Sequence, residues 1–377
     1  MKFGGTSVAN VARIRAAAEK ILDLQKRYQK MVVVVSAMAG VTNTLVGYCQ
    51  EISQEVASDD TDMVLTTGEQ VSTGLMSLML QSLGARVKAL MSWQIPIITT
   101  DVPGNARIKQ VADEVLQTHF RTVDILVVPG FQGVNREGRL RTLGRGGSDT
   151  SAVAIAGALG VECSIYTDVS GIYSADPREV NDAAHLPFIS FEQALALAKN
   201  GAKVMHYKAV EEGMKSGTPI RVLSTFEEGE GTLISETPAV SKGPYMGLSL
   251  ERVVVIHVPA TINKKLPDIQ AHFQAEDVLY FYLQKQERHY ISVNRSEYKR
   301  VMNHLEKHYN DFLEGGAFAL NSLLKITFVK GAEGPVVVPK GLDIWAQEEE
   351  KHAVHFWVST QQEESSLMSA LHEELVK

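Results

Sequence analysis

Leu143-Gly144-Arg145-Gly146-Gly147-Ser148-Asp149-Thr150 sets three glycines, two hydroxyls and a guanidinium directly before an apolar, helix-like stretch. A second segment, Lys2-Phe3-Gly4-Gly5-Thr6-Ser7-Val8, repeats the ingredients with a lysine as the cation. Glycine lets backbone N–H groups come close to an anion and reaches positive φ without strain. Hydroxyls add short donors, and Lys or Arg supplies the counter-charge to phosphate or carboxylate. Two such turns in one chain imply a place for two anions, as a phosphoryl transfer requires.

Outward from these turns, apolar strand-length runs alternate with amphipathic stretches. Val32–Val35, Arg86–Leu90, Ile97–Thr100, Ile125–Val128, Cys163–Thr167 and Ile220–Leu223 read as strands. Val11–Arg27, Gly68–Leu83, Ile108–Phe120, Ser151–Leu159, Phe191–Leu197 and Lys208–Met214 read as helices. That alternation predicts an α/β fold with a mostly parallel central sheet and helices on both faces. Ligands of such sheets gather at the carboxyl ends of the strands, where Lys2–Ser7, Ala37–Gly40 and Pro129–Gly133 fall. Lys2 and Phe3 themselves read as the end of a first strand.

Composition changes at Phe226–Gly243, which is rich in Gly, Glu, Ser and Pro. We expect a first domain over 1–235, a linker over 236–245 and a second, smaller α+β region over 246–377. Its pattern is strand (Val253–Val258), helix (Lys264–Phe273), strands (Val278–Leu283, Tyr290–Val293), helix (Ser296–His308) and strand (Leu324–Val329). Strand-like Gly334–Val338 and His355–Val358 follow, then a helix over Ser365–Leu375; Glu348–Lys351 reads as a wet loop.

Bulk properties narrow the function. The 377 residues are 45% hydrophobic and 21% charged, with a formal charge of −7, which speaks against a nucleic-acid surface. No apolar run reaches the ~18–20 residues of a membrane span, and no signal-peptide core follows Lys2, so a cytoplasmic protein is expected. Cys49 and Cys163 have no metal-ligand spacing and make no disulfide framework.

Each motif has a plainer alternative. Lys2–Ser7 is a phosphate cradle, or a tight turn with Ser7 near a helix cap. Ser36–Asn43 is a substrate loop, or a loop and cap. Gly68-Glu69 holds a substrate, or places a carboxylate at a helix N-terminus. Asp149 is functional, or an N-cap. Tyr166–Arg178 is a nucleotide site with Tyr173 and Arg178, or a long surface turn. His304 and His308, four apart without the glutamate of His-Glu-x-x-His, read as a solvated helix face.

These motifs, in this order, resemble aspartate kinase of the amino-acid kinase superfamily. The matching landmarks are Lys2–Val8, Val35–Thr42, Thr67-Gly68-Glu69, Asn105-Ala106-Arg107-Ile108, Gly130-Phe131-Gln132-Gly133, Leu143–Ala152, Tyr166–Arg178 and Gly201-Ala202-Lys203-Val204. The resemblance runs from Lys2 to about Ile234. It implies an amino-acid-kinase-type α/β/α sandwich followed by an ACT-like regulatory region, and the phosphorylation of L-aspartate by ATP with Mg²⁺. Lys2 and Asp149 would be catalytic, Lys2 against the transferred phosphoryl and Asp149 ordering the cations. Arg145 would clamp a substrate carboxylate, Glu69 the α-ammonium, and Thr42 and Ser148 would orient the amino acid. Gly4, Gly5, Thr6, Ser7, Thr167, Asp168, Tyr173, Arg178 and Lys203 would hold ATP. Mg²⁺ would arrive on the nucleotide without direct protein ligands, and the C-terminal region would pair two copies.

Other readings stay open: a sister kinase acting on glutamate or N-acetylglutamate, or a non-catalytic amino-acid-sensing subunit. The chain departs from the family pattern in three places. Only Met1 precedes the lysine, and Val204-Met205-His206-Tyr207 stands where Val-Leu-His-Pro is common. Val258-Pro259-Ala260-Thr261-Ile262-Asn263 lacks the family's Pro-Gly effector loop, and Val278–Tyr282 lacks its Asn-bearing strand. A scaffold with weak or absent feedback control is the expectation.

Overall fold

A computed structural model describes the chain apart from residues 53–57, 203, 238–243, 259–263, 286, 310–318, 332–335, 360–362 and 377. The chain divides into two compact units. One comprises Met1–Ile172, His185–Leu195 and Lys203–Pro238; the other comprises Tyr173–Ala184, Ala196–Ala202 and Ala239–Lys377.

The chain opens with β1 (Lys2–Phe3), α1 (Val11–Gln25), β2 (Met31–Val35), α2 (Val41–Ile52), α3 (Asp59–Ser82) and β3 (Val87–Ala89). Then come β4 (Ile97–Thr99), β5 (Ile108–Val111), α4 (Asp113–His119), β6 (Ile125–Pro129), β7 (Gln132–Val134), β8 (Leu140–Thr142), α5 (Gly147–Leu159) and β9 (Cys163–Thr167). After them follow β10 (Ile172–Tyr173), β11 (His185–Leu186), β12 (Phe188–Ser190), α6 (Phe191–Lys199), α7 (Tyr207–Ser216), β13 (Ile220–Ser224) and β14 (Thr232–Ser235).

The main sheet of the first unit has eight strands in the order β12-β14-β13-β9-β1-β2-β6-β3. Its central pairs β9–β1, β1–β2 and β2–β6 are parallel. β-Branched Val32–Val35 suits a strand buried on both faces. Val33 and Val35, with Phe3, Ile125 and Val127, pack on Ile14, Ala17, Ala18 and Ile21 of α1 and Met76 and Leu80 of α3. Each such fully buried aliphatic or aromatic side chain contributes about 1.5–3 kcal/mol. Val32 and Val34 point the other way, towards Ala152, Ile155 and Ala156 of α5, so helices cover both faces. Asn10 caps α1, its Oδ1 accepting from Arg13 N–H at 2.9 Å. Ser58 caps α3 through Oγ, and Asp59, Asp60 and Asp62 follow in the first turn, where the helix dipole favours acids. A smaller sheet runs in the order β5-β4-β7-β8.

Three expectations change in this unit. Ile108–Phe120 is not one helix: β5 occupies Ile108–Val111 and α4 starts only at Asp113. Gly68 and Glu69 lie in the middle of α3, which starts at Asp59, so Glu69 is no N-terminal carboxylate. Ser7 is also clear of the helix cap, which falls at Asn10.

The second unit continues with β15 (Tyr245–Val258), α8 (Leu266–Ala275), β16 (Tyr280–Lys285), β17 (Arg288–Asn294), α9 (Tyr298–His308) and β18 (Ala319–Lys330). It ends with β19 (Asp343–Glu349), β20 (Ala353–Ser359) and α10 (Glu364–Leu375). Its antiparallel sheet runs β16-β17-β15-β18-β20-β19. Val254, Ile256 and Val258 of β15 meet Ile269 and Phe273 of α8 and Val301 and Leu305 of α9. Leu248, Ile326, Phe328 and Phe356 meet Leu367, Met368 and Leu371 of α10, with Ala175 and Val180 in the same core. On the opposite face, Lys325 Nζ lies 2.7 Å from Glu251 Oε2 and 2.9 Å from Asn200 Oδ1.

No described residue between β18 and β19 is helical. Two sequence expectations fail here. Residues 336–338 of the expected Gly334–Val338 strand have no regular structure, and Glu348 belongs to β19 rather than to a loop. His304 stacks on His272 with ring centroids 3.3 Å apart, and His308 follows at 4.6 Å. Among the described residues, no cluster of His, Cys, Asp or Glu is arranged to hold a metal ion. No described helix is long and apolar enough to cross a membrane.

Candidate active site

Strand register places the loops of the first unit. Phe3 is level with Val35 of β2 and Tyr166 of β9, and Val35 with Pro129 of β6. Gly4-Gly5, Ser36-Ala37, Gly130-Phe131 and Thr167-Asp168 therefore emerge side by side at the carboxyl edge of one parallel sheet. Backbone hydrogen bonds tie them there: Gly4 N–H to Tyr166 O (3.2 Å), Ser36 N–H to Phe3 O (3.2 Å) and Gly130 N–H to Val35 O (3.0 Å).

The cation of this edge is Lys2, itself 8% exposed. Its Nζ lies 2.6 Å from Oδ1 of Asp149, a close ion pair. Asp149 stands in the first turn of α5 rather than at its cap, a position taken by Gly146. The pair thus joins the two turns quoted at the outset. The glycines beside it are close-packed. A Cβ on Gly4 would sit 3.5 Å from the Lys2 amine, and one on Gly5 would strike Ala37 O at 2.9 Å. Thr6 is exposed, whereas Ser7 is buried with Oγ 2.7 Å from Thr225 Oγ1.

Glu69 reaches this edge from mid-α3. Its Oε1 accepts the Ala37 N–H at 3.0 Å, while Oε2 is buried with no hydrogen-bond partner. Burial, only partly offset by the Ala37 N–H, pushes its carboxyl up to about 7. Thr42 lies in the first turn of α2. Ser148 packs on Gly130, where a Cβ would approach within 2.7 Å. Phe131, at φ 69°, adopts a left-handed conformation costly for a non-glycine residue, and its N–H is held by Ser151 Oγ at 3.1 Å.

Arg145 is exposed between Gly144 (φ 74°) and Gly146 (φ 71°). His206 lies flush against this turn: a Cβ on Gly146 would fall 2.1 Å from His206 Cβ. Burial, then the Lys208 and Arg145 charges, against Asp149, pull the imidazole down to about 4, so it is neutral. His206 thus lies within electrostatic reach of both Arg145 and Asp149, the two ends of this one turn. Thr167 Oγ1 donates to Asp168 Oδ1 at 3.1 Å. Tyr173 and Arg178 belong to the second unit, where Arg178 holds the Asp176 carboxylate at 2.6–2.9 Å. Lys203 lies outside the described residues.

Sequence reasoning passed over Lys208 and Asp62. Lys208, 3% exposed, donates from Nζ to Asn105 Oδ1 (2.5 Å) and Leu143 O (3.3 Å). Asp62, fully buried, accepts from Gly104 N–H (3.0 Å) and Thr142 Oγ1 (2.5 Å). Taken together, the edge offers an ammonium paired with a carboxylate, close-packed glycine turns, a helix N-terminus and a half-satisfied buried acid. These are elements for binding anions and one cationic group.

Comparison with known proteins follows the same lines. The sequence profile described as "Amino acid kinase family" matches residues 1–224. An aspartokinase of Bacillus sp. is 42% identical over 268 residues, 70% of this chain and 65% of that protein. An aspartokinase of Pseudomonas aeruginosa is 44% identical over 235 residues, 62% of this chain and 57% of that protein. The chain thus spans less than two thirds of these relatives' length. Among solved structures, E. coli aspartokinase III in complex with aspartate and ADP superposes with a TM-score of 0.81 at 22% identity, over 99% of this chain and 98% of that one. Aspartate kinase from Synechocystis has a TM-score of 0.57 at 30% identity, over 99% of this chain and 68% of that one.

Proposed function

We propose, from the premise that this chain belongs to the amino acid kinase family, that it transfers the terminal phosphoryl of ATP to the side-chain carboxylate of L-aspartate, giving ADP and 4-phospho-L-aspartate. The observation that carries the proposal is the Lys2–Asp149 pair, 2.6 Å apart, between two glycine turns at the carboxyl edge of a parallel sheet. Relatives named aspartokinase support the acceptor.

In this mechanism the aspartate carboxylate attacks the γ-phosphorus. An oxygen–phosphorus bond forms as the bond to the β–γ bridging oxygen breaks, and its electron pair leaves with ADP. A carboxylate, with a pKa of about 4, is already ionised at neutral pH, so no strong base is needed. Holding two anions in contact is the task, and position and electrostatics accomplish it. Lys2 screens the moving phosphoryl while Asp149 fixes its ammonium and orders the cations. Gly4, Gly5, Thr6 and Ser7 line the phosphates; the space a Cβ on Gly5 would take is closed by Ala37 O. Thr167 and Asp168 take the nucleotide, and Lys203 reaches its phosphates. Arg145 clamps an aspartate carboxylate, Glu69 offers Oε2 to the α-ammonium, and Thr42 and Ser148 orient the amino acid. Mg²⁺, arriving with the nucleotide and without direct protein ligands, would supply further charge neutralisation.

Trapping the acyl phosphate with hydroxylamine tests the assignment. ATP-dependent hydroxamate with aspartate is expected. A signal only with glutamate or N-acetylglutamate would reassign the acceptor, and ATP binding without any hydroxamate would point to a sensing subunit. We further infer a cytoplasmic homodimer joined through the second unit, with little feedback control. Millimolar lysine or threonine should leave the rate nearly unchanged; strong inhibition by either would refute the last inference.

A further inference from the structure

Leu143–Gly146 is gripped at its base by two buried charges of opposite sign from two different helices. Asp62 of α3 accepts from Gly104 N–H and from Thr142 Oγ1. Lys208 of α7 donates to Asn105 Oδ1 and to Leu143 O. Each charge therefore spans the same two segments, one residue apart: 104–105 on one side and 142–143 on the other. Between the grips, Ala106 N–H donates to Thr142 O at 2.9 Å. The turn closes tightly on the lysine, since a Cβ on Gly144 would lie 3.3 Å from its Nζ. His206, whose Nδ1 accepts the Lys208 N–H at the cap of α7, presses on Gly146 from the same helix start. Arg145 is thus carried between two glycines, both seated on the first residues of α7.

We propose that Lys208 is a positioning residue for the acceptor-binding turn, acting through Asn105 and the Leu143 carbonyl, with Asp62 as its opposite grip, to fix where Arg145 presents its guanidinium. The placement of Arg145 on the acceptor carboxylate rests on the function proposed above. Burial of a lysine is costly, and here burial and the Arg107 charge, against Glu211, bring its ammonium down to about 7. A methionine of similar length would fill the same space without that cost. The ammonium adds what methionine lacks, a hold on two loops at once. Guanidinium clamps demand such a hold, because a misplacement of about 1 Å can cost on the order of 10²-fold in rate.

Lys208→Met tests this. The aspartate KM should rise about tenfold, with kcat and the ATP KM within about twofold of wild type. Lys208→Arg should recover most of the loss. Amide hydrogen exchange in Lys208→Met should quicken at Ala106 and over Leu143–Gly147 while the β2 and β6 amides keep their protection. Unchanged aspartate KM and unchanged exchange would overturn the proposal. So would a uniform loss of kcat and of both KM values together with a lowered Tm, the mark of general destabilisation. If wild type forms no hydroxamate with any acceptor, the proposed function falls, and exchange alone then decides whether Lys208 holds the turn.

Discussion

One oxygen of the Glu69 carboxylate is matched by the Ala37 N–H and the other has no partner. With its carboxyl pushed up to about 7 by burial, Glu69 is largely protonated at pH 6 and largely ionised at pH 8. An α-ammonium pairs only with the ionised form. The aspartate KM should therefore fall as pH rises, by up to about tenfold per unit below 7, and flatten above it. Glu69→Gln should raise the KM and remove that slope; initial rates across pH 6–8 check both. Lys2→Ala should lower kcat by about 10²–10³-fold, as loss of a preorganised charge does, and leave Asp149 without its 2.6 Å partner. Steady-state rates with saturating ATP and aspartate measure that loss. At this scale the sequence shows which side chains bear charge beside glycine. It does not show Lys208 or Asp62, because their partners lie 103 and 80 residues away, respectively.

Among the elements, α3 is the informative case. Its apolar pattern is plain from Gly68 onwards, but its first turns are acidic and polar, so the periodicity conceals nine residues of helix. The cap at Ser58 is where it begins: Ser58 Oγ accepts from Thr61 N–H at 3.2 Å. Ser58→Ala should cost about 1 kcal/mol, read from the midpoint of urea unfolding, while the 69-side kinetics persist. The misread Ile108–Val111 has an equally physical cause. Its burial runs buried, exposed, exposed, buried, which is the spacing of a helix face. The strand tolerates it because its pairing with β4 shifts register between Ile98 and Thr99. Central strands such as Met31–Val35 were legible because both faces are buried and the run is continuous.

For the molecule as a whole, alternation of strand and helix announced a parallel sheet, and the changed pattern beyond residue 245 announced a smaller α+β region without showing that its sheet is antiparallel. A linear pattern does not register which stretches meet across long sequence distances. Lys325 illustrates this: it is buried at 3% exposure, sits 4.3 Å from the Phe281 ring centre, and pairs with Glu251 while Asn200 accepts from it. Burial depresses its ammonium and Glu251 opposes that. Lys325→Ala should destabilise by about 3–5 kcal/mol by stranding the Glu251 carboxylate. The paired change Glu251→Gln with Lys325→Met should cost much less, and chemical denaturation distinguishes the two.

The second unit draws Tyr173–Ala184 and Ala196–Ala202 from far upstream of its main body. Those insertions bring Ala175 and Val180 to its core and Asn200 to Lys325. A gene fusion joined at a single crossover near residue 238 would leave that core short of both contributions. Shuffling this half between cousins therefore calls for moving all three of its segments together, because a cassette cut at one point carries only the longest of them.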